Sequence, residues 1–219
     1  MGLRKQSFVG GEYYHLYNRG IDKKVIFLDK EDYTHFLYLM YVCNTTKSIK
    51  IRDLGKNFER GETVVYIGAY CLMPNHFHIL LRTKNENGVS KYMRKLLTAY
   101  AMYFNKKYSR TGRLFANTFK SSHVNSDIYF KYIYAYIHLN PAKLIDKNWK
   151  DKRSKPKTEL LEFIFEYPYS SLSEYYKDIE RKNKNHITDL TSFPNYFVNL
   201  LEHKKELFDW LNTQDYTVW

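Results

Sequence analysis

The sequence is poor in cysteine and has no long hydrophobic run. Its two cysteines, Cys43 and Cys71, lie beside or within apolar stretches, and their spacing matches no metal-binding motif. We therefore expect buried free thiols in a reducing compartment, the cytoplasm. No apolar run approaches the roughly 18 residues of a membrane helix, and the polar, basic residues 1–6 do not resemble a signal peptide. We expect neither secretion nor a membrane span.

Acidic residues are few relative to basic ones. The 219 residues include 35 Lys and Arg but 23 Asp and Glu, which gives a net charge of +12. Such a surplus favours a polyanionic partner, most commonly nucleic acid. An AT-rich genome would also enrich Lys, Asn and Tyr codons. This alternative explains the positive net charge without any role in binding, and the composition leaves both explanations open. With 44% hydrophobic and 18% aromatic residues, the chain can bury a sizeable core, which excludes wholesale disorder.

The hydrophobic pattern alternates between the strand and helix periods. We predict strands at residues 12–17, 63–72, 76–82 and 113–124, and helices at residues 32–42, 89–108 and 127–140. The polar, basic residues 45–62 are expected to form a loop or an exposed hairpin. This order predicts an α+β fold: a ferredoxin-like antiparallel sheet with helices on one face.

The composition changes after residue 143. Residues 144–157 include a charged, proline-containing run that is typical of a basic linker, and residues 158–219 carry the helical pattern at 160–165, 172–179 and 197–211. We therefore divide the chain into a domain at residues 1–143, a linker at 144–157 and a mainly helical C-terminal extension at 158–219.

Two histidines are spaced for one face of a strand. His76 and His78 flank Phe77, so the period of two points both imidazoles to the same side. Two imidazoles on one face can share a metal ion. They can equally bond backbone or solvent, and the spacing alone leaves both interpretations open.

A tyrosine and an asparagine share a face of the last predicted helix of the domain. Tyr136 and Asn140 are four residues apart, and Pro141 ends the helix. The partial negative charge of a helix C-terminus favours a cation there, and an amide oxygen suits Mg²⁺ or Mn²⁺. The alternative is a packed aromatic helix on which Asn140 acts as a C-terminal cap. The residues alone favour the packed helix.

Four segments, in order, resemble the bacterial single-tyrosine HUH transposases, and more closely their REP-associated branch. The segments are YHLYNRG (14–20), CLMPNHFHILL (71–81), YFNKKYSRTGRLFANTFKS (103–121) and YIHLNPAK (136–143). The resemblance covers about residues 8–143. It implies that His76 and His78 bind the metal and that Tyr136 is the catalytic tyrosine. The family's third ligand, often Gln, falls on Asn140.

The resemblance also implies an activity. The protein would be a transposase of the insertion-sequence type that uses Mg²⁺ or Mn²⁺ to cut and rejoin single-stranded DNA through a 5′-phosphotyrosine intermediate. Its partner would be single-stranded DNA with hairpin or palindromic elements, met in the bacterial cytoplasm at the nucleoid. Self-association as a homodimer is a further expectation, and the extension is a candidate for clamping a hairpin, covering the site or supporting a dimer.

Several basic residues are candidates for DNA contacts. Arg19, Arg113, Lys120 and the loop at residues 47–60 are the first choices. The basic face of the helix at residues 89–108 is either a solvated face or a DNA contact. We expect structural or DNA-facing roles for His15 and His123.

Two other function classes remain. A catalytically inactive single-stranded nucleic-acid-binding protein would keep the charge and the aromatic residues. A His-x-His metal hydrolase would also use the two histidines, but it usually needs a third His, Asp or Glu and gives Tyr136 no role.

Overall fold

The computed structural model describes residues 7–55, 57–150, 155–172, 175, 186–195 and 200–213. Within them, an antiparallel sheet has the strand order β2-β3-β1-β4. The strands are β1 (Tyr13–Arg19), β2 (Val65–Met73), β3 (His76–Thr83) and β4 (Lys120–Val124). The helices are α1 (Lys30–Cys43), α2 (Gly88–Lys107), α3 (Asp127–Leu139), α4 (Ala142–Ile145), α5 (Lys157–Glu166) and α6 (Leu200–Asn212). The order β1-α1-β2-β3-α2-β4 confirms the predicted α+β class and its ferredoxin-like connectivity.

Local capping groups fix where the helices start. Asp29 and Asp32 form a capping box at α1, in which each carboxylate accepts a hydrogen bond from the backbone N–H of the other residue. The Ser126 hydroxyl accepts from the backbone N–H of Tyr129 and caps α3 in the same way. The end of β4 and the start of α3 are therefore joined by a short, defined turn.

The sheet is covered on both faces. Phe77, Ile79 and Leu81 of β3 join the larger core under α1 and α2, whereas Leu80 packs under α3. The prediction placed the helices on one face, and this holds for α1 and α2. The helix α3 lies on the other face because Ala69, Cys71 and Leu80 make that face apolar as well.

Differences from the predicted strand boundaries include the end of β1 and the start of β4. β1 continues through Asn18 and Arg19, which pair with Phe77 and His76. β4 starts only at Lys120, because the side-chain amide of Asn18 donates to the carbonyls of Asn117 (3.0 Å) and Thr118 (2.7 Å) in place of a strand ladder.

The C-terminal part packs against α3 and β2. Trp149, Leu160 and Leu207 belong to one buried cluster with residues of α3 and α4. The Tyr167 hydroxyl donates to the Leu72 carbonyl of β2 at 2.6 Å. The helices predicted at 160–165 and 197–211 correspond to α5 and α6, while the one at 172–179 lies largely outside the described residues. The division of the chain at residues 143 and 157 stays a prediction.

The described residues also bear on the cysteine and membrane predictions. Cys43 and Cys71 are buried free thiols, as expected. No helix in this part of the chain is both long enough and apolar enough to cross a bilayer.

Candidate active site

Side chains from β1, β3 and α3 meet on one face of the sheet. His76 and His78 project from β3 with their ring centres 5.1 Å apart. Tyr136 of α3 lies over them, 5.3 Å from the His78 ring and 6.1 Å from the ring of His15 on β1. The structure therefore brings together both predicted histidines and the predicted tyrosine, although β3 and α3 are far apart in the chain.

A hydrogen bond between two imidazoles orients His78. The Nδ1 of His78 lies 2.9 Å from the Nε2 of His15, and both residues are 5% exposed. The other ring nitrogen of His78, Nε2, is buried and has no hydrogen-bond partner among the described residues. If Nδ1–H donates to His15, Nε2 carries a free lone pair, which is the arrangement of a metal-ligating histidine held by a second partner.

His76 is held in a similar way by its neighbour. Its Nδ1 lies 2.6 Å from the side-chain oxygen of Asn75, which can only accept, so Nδ1 carries the proton and Nε2 the lone pair. Burial, and then the charges of Lys143 and Arg19, lower the pKa of His76 to about 4. Burial is also the main reason why the pKa of His78 is well below its ordinary value. Both imidazoles are neutral at pH 7, so the pair fits a divalent ion.

Asn140 sits directly after the last turn of α3 and is 1% exposed. Its amide nitrogen donates to the Tyr136 carbonyl at 2.7 Å, so it does bond the helix end as a cap would. Its amide oxygen accepts from the Lys143 ammonium at 3.1 Å. The oxygen is therefore oriented toward a positive charge and keeps a second lone pair. An ion bound directly by Asn140 would compete with Lys143 for this oxygen.

Burial determines the state of the candidate nucleophile. It raises the pKa of the Tyr136 hydroxyl above the ordinary value, so the group is protonated at neutral pH. A nearby cation or base is needed before such a hydroxyl can attack. Tyr132, one turn earlier, stacks on Tyr136 at 6.0 Å and contacts Trp210 of α6 at 5.7 Å.

Two of the three predicted DNA-contact residues lie at this site. Arg19 is paired with His76 in the sheet, and Lys120 is paired with Tyr17, whose ring centre lies 5.9 Å from that of His78. Arg113 does not join them. It borders a cavity on the α2 side of the molecule, so its role in DNA binding stays a separate prediction.

Sequence reasoning missed two residues of the site. His15 was expected to be structural or DNA-facing, yet it bonds His78 directly. Counting in twos back from Arg19 along β1 would have placed it on this face. Lys143 is the second, and its spacing of three residues from Asn140 is the signal that could have identified it. The Nε2 of His123 lies within hydrogen-bond distance, 2.9 Å, of a Glu12 carboxylate oxygen, in line with a structural role.

No group of three or more His, Cys, Asp or Glu side chains in the described part of the chain has the arrangement of a metal site. His15 does not complete one, since its Nε2 faces the Nδ1 of His78 and not the orphaned Nε2. The role of Asn140 as the third ligand stays a prediction.

Comparisons with known proteins bear on the family. A solved structure of a REP-associated tyrosine transposase bound to a REP hairpin is similar to this chain, with a TM-score of 0.48 and 14% identity over 88% of this chain and 94% of that one. No curated protein matches the sequence. The family described as "Transposase IS200 like" matches residues 13–140, which is more than half of the chain and includes every residue of the site except Lys143. The chain therefore belongs to the IS200-like transposase family.

Proposed function

We propose that this transposase uses Tyr136 and a divalent ion to cut and rejoin single-stranded DNA through a 5′-phosphotyrosine intermediate. The observation that supports this most strongly is the buried Nε2 of His78, which has no hydrogen-bond partner in the described part of the chain and whose ring lies beside those of His76 and Tyr136. A buried polar atom without a partner is costly in a folded protein and calls for a functional reason. A metal ion supplies that reason.

His76, His78 and Asn140 would hold the ion, Mg²⁺ or Mn²⁺. The two histidines offer neutral nitrogen donors whose other ring nitrogens are fixed by Asn75 and His15. Asn140 offers the hard oxygen that these cations prefer. When bound, the ion would polarise the scissile phosphate and offset its developing negative charge.

Tyr136 performs the covalent step. Its hydroxyl loses a proton to solvent, and the oxygen attacks phosphorus. The bond between phosphorus and the 3′ oxygen breaks, and that oxygen takes up a proton. The products are a 5′-phosphotyrosine and a free 3′-hydroxyl. A second 3′-hydroxyl can attack the same phosphorus and release Tyr136, so strands are rejoined without an external energy source.

The site favours an unpaired strand. Arg19 and Lys120 supply positive charge for phosphates, and the ring of Tyr17, 6.0 Å from the Lys120 ammonium, offers a stacking surface. The hairpin preference rests on the resemblance of the four sequence segments to the REP-associated branch.

The test is capture of the covalent adduct. The protein is incubated with Mn²⁺ and a labelled pool of single strands that carry a hairpin with randomised flanks, and the product is run on a denaturing gel. We expect a labelled protein band that is lost in Tyr136→Phe. Tyr132→Phe is the matched control because Tyr132 lies on the same helix face, and it should keep the band. DNA binding without any adduct in the unmutated protein would favour the inactive binding protein.

A further inference from the structure

A groove lies on the side of the molecule opposite the active site. The outer faces of α1 and α2 and the loop residues 49–52 enclose a cavity of about 790 Å³. Ile49, Ile51 and Ala99 contribute to its apolar lining. We call this the α1–α2 groove. The sheet and the packed core beneath α1 and α2 separate it from Tyr136.

Basic residues surround the apolar lining. They are Lys50, Arg52, Arg94, Lys95 and Lys106, and no acidic residue lines the cavity among those the structure describes. The sequence left two basic segments open as DNA contacts, the loop at residues 47–60 and one face of α2. The fold brings the two segments together at the groove. This proximity cannot be predicted from either segment alone.

Three of these cations are available to a ligand. Arg52 pairs with Asp53 at 3.3 Å, and Lys95 donates to two loop carbonyls at 3.4 Å. Lys50, Arg94 and Lys106 form no ion pair within the described residues. All three residues are exposed, so their positive charges face solvent and complement an anion.

A stacked aromatic pair borders the groove. The rings of His35 and Tyr103 lie 3.8 Å apart at an angle of 21°, and the Tyr103 hydroxyl is held by Asp32 at 3.1 Å. Met102, beside them, is 69% exposed. Flat rings next to an apolar surface and phosphate-binding cations are the features that bind single-stranded nucleic acid.

We propose that the α1–α2 groove is a second DNA-binding site that takes an unpaired segment of the DNA strand. The bases lie against the His35–Tyr103 pair and the apolar lining, and the phosphates face Arg94 and Lys106. A regular duplex keeps its bases stacked inside and cannot use the apolar surface. The proposal goes beyond the cleavage chemistry, since it requires DNA binding but no metal and no covalent step.

Fluorescence anisotropy with a labelled oligo-dT strand tests the proposal. All variants are made in the Tyr136→Phe background and measured without metal, so the result does not depend on cleavage. The double variant Arg94→Glu with Lys106→Glu is compared with Lys204→Glu and Lys205→Glu on α6, which change the net charge equally. We expect affinity to fall about tenfold or more in the groove variant and much less in the control. The slope of log K against log salt should shrink by about 1.4, which corresponds to two phosphate contacts on a single strand.

A second variant and a second readout address the stacking surface. His35→Ala should weaken oligo-dT binding about fivefold or more, because one stacked base is lost. Thermal unfolding verifies that each variant is folded. In the unmutated groove, an oligonucleotide carrying 5-iodouracil should form photo-crosslinks to the segment around Tyr103.

Three results would overturn the proposal. One is unchanged affinity in the groove variants, and another is equal loss in the groove and control variants. The third is crosslinking confined to the α3 face together with groove-dependent binding of anionic lipid vesicles instead of DNA. Failure to find the covalent adduct would count against the proposed function and leave these binding results unaffected.

Discussion

The hydrogen bond between His15 and His78 should control metal affinity. His15→Phe keeps a ring of similar shape in the buried position but removes the acceptor that lies 2.9 Å from the His78 Nδ1. A buried N–H without a partner costs about 1–3 kcal/mol. The imidazole can avoid this cost by moving its proton to Nε2, which removes the lone pair that would bind the ion. We therefore expect Mn²⁺ affinity to fall about 10- to 100-fold, the usual effect of losing a partner behind a metal ligand.

The matched variant is His15→Gln. Its amide oxygen can reach the position of the lost Nε2 and accept from His78, so affinity should stay within a few-fold of the unmutated protein. The assay is titration of Mn²⁺ into DNA-free protein, followed by the electron paramagnetic resonance signal of the free ion. Unchanged affinity in His15→Phe would show that His15 does not orient His78 for the metal, as would equal weakening by Phe and Gln. No Mn²⁺ binding by the unmutated protein would contradict the metal site itself.

Three further predictions concern cleavage and stability. His76→Ala with His78→Ala, or EDTA on the unmutated protein, should abolish adduct formation, and persistent cleavage would contradict a metal mechanism. Hairpin-flanked single strands should be cut and the same sequence left intact as a perfect duplex, while comparable rates on both would indicate a duplex endonuclease. His203 lies on α6 and is buried, which lowers its pKa to about 4, so the unfolded chain binds more protons than the folded one between pH 6.5 and 4. The free energy of unfolding should therefore fall by about 3 kcal/mol from this residue as pH drops through that window, and His203→Phe should lessen the loss in urea titrations.

Much of the fold follows from local pattern. The long apolar period of α2 and the dense strands around the turn at Pro74 were predicted nearly to the residue, because periodicity and turn chemistry are local signals. The face covered by α3 could not be predicted in this way. It depends on Leu80 and Cys71 being buried from the second side, which is a property of the assembled sheet.

The same distinction between local pattern and assembled structure applies to the candidate site. The shared face of His76 and His78 follows from the strand period alone. The contact between His15 and His78 needs the register of β1 against β3, and these strands are about 60 residues apart in the chain. The position of Arg113, away from the site, likewise depends on the irregular path before β4.

The most direct test of the central claim is the identity of the residue that carries DNA. The adduct formed with Mn²⁺ is digested with nuclease and protease, and the remaining nucleotide is located by tandem mass spectrometry. We expect a 5′-phosphodiester on the hydroxyl of Tyr136. A nucleotide on Tyr132 or on any other residue, or a 3′ linkage, would contradict it.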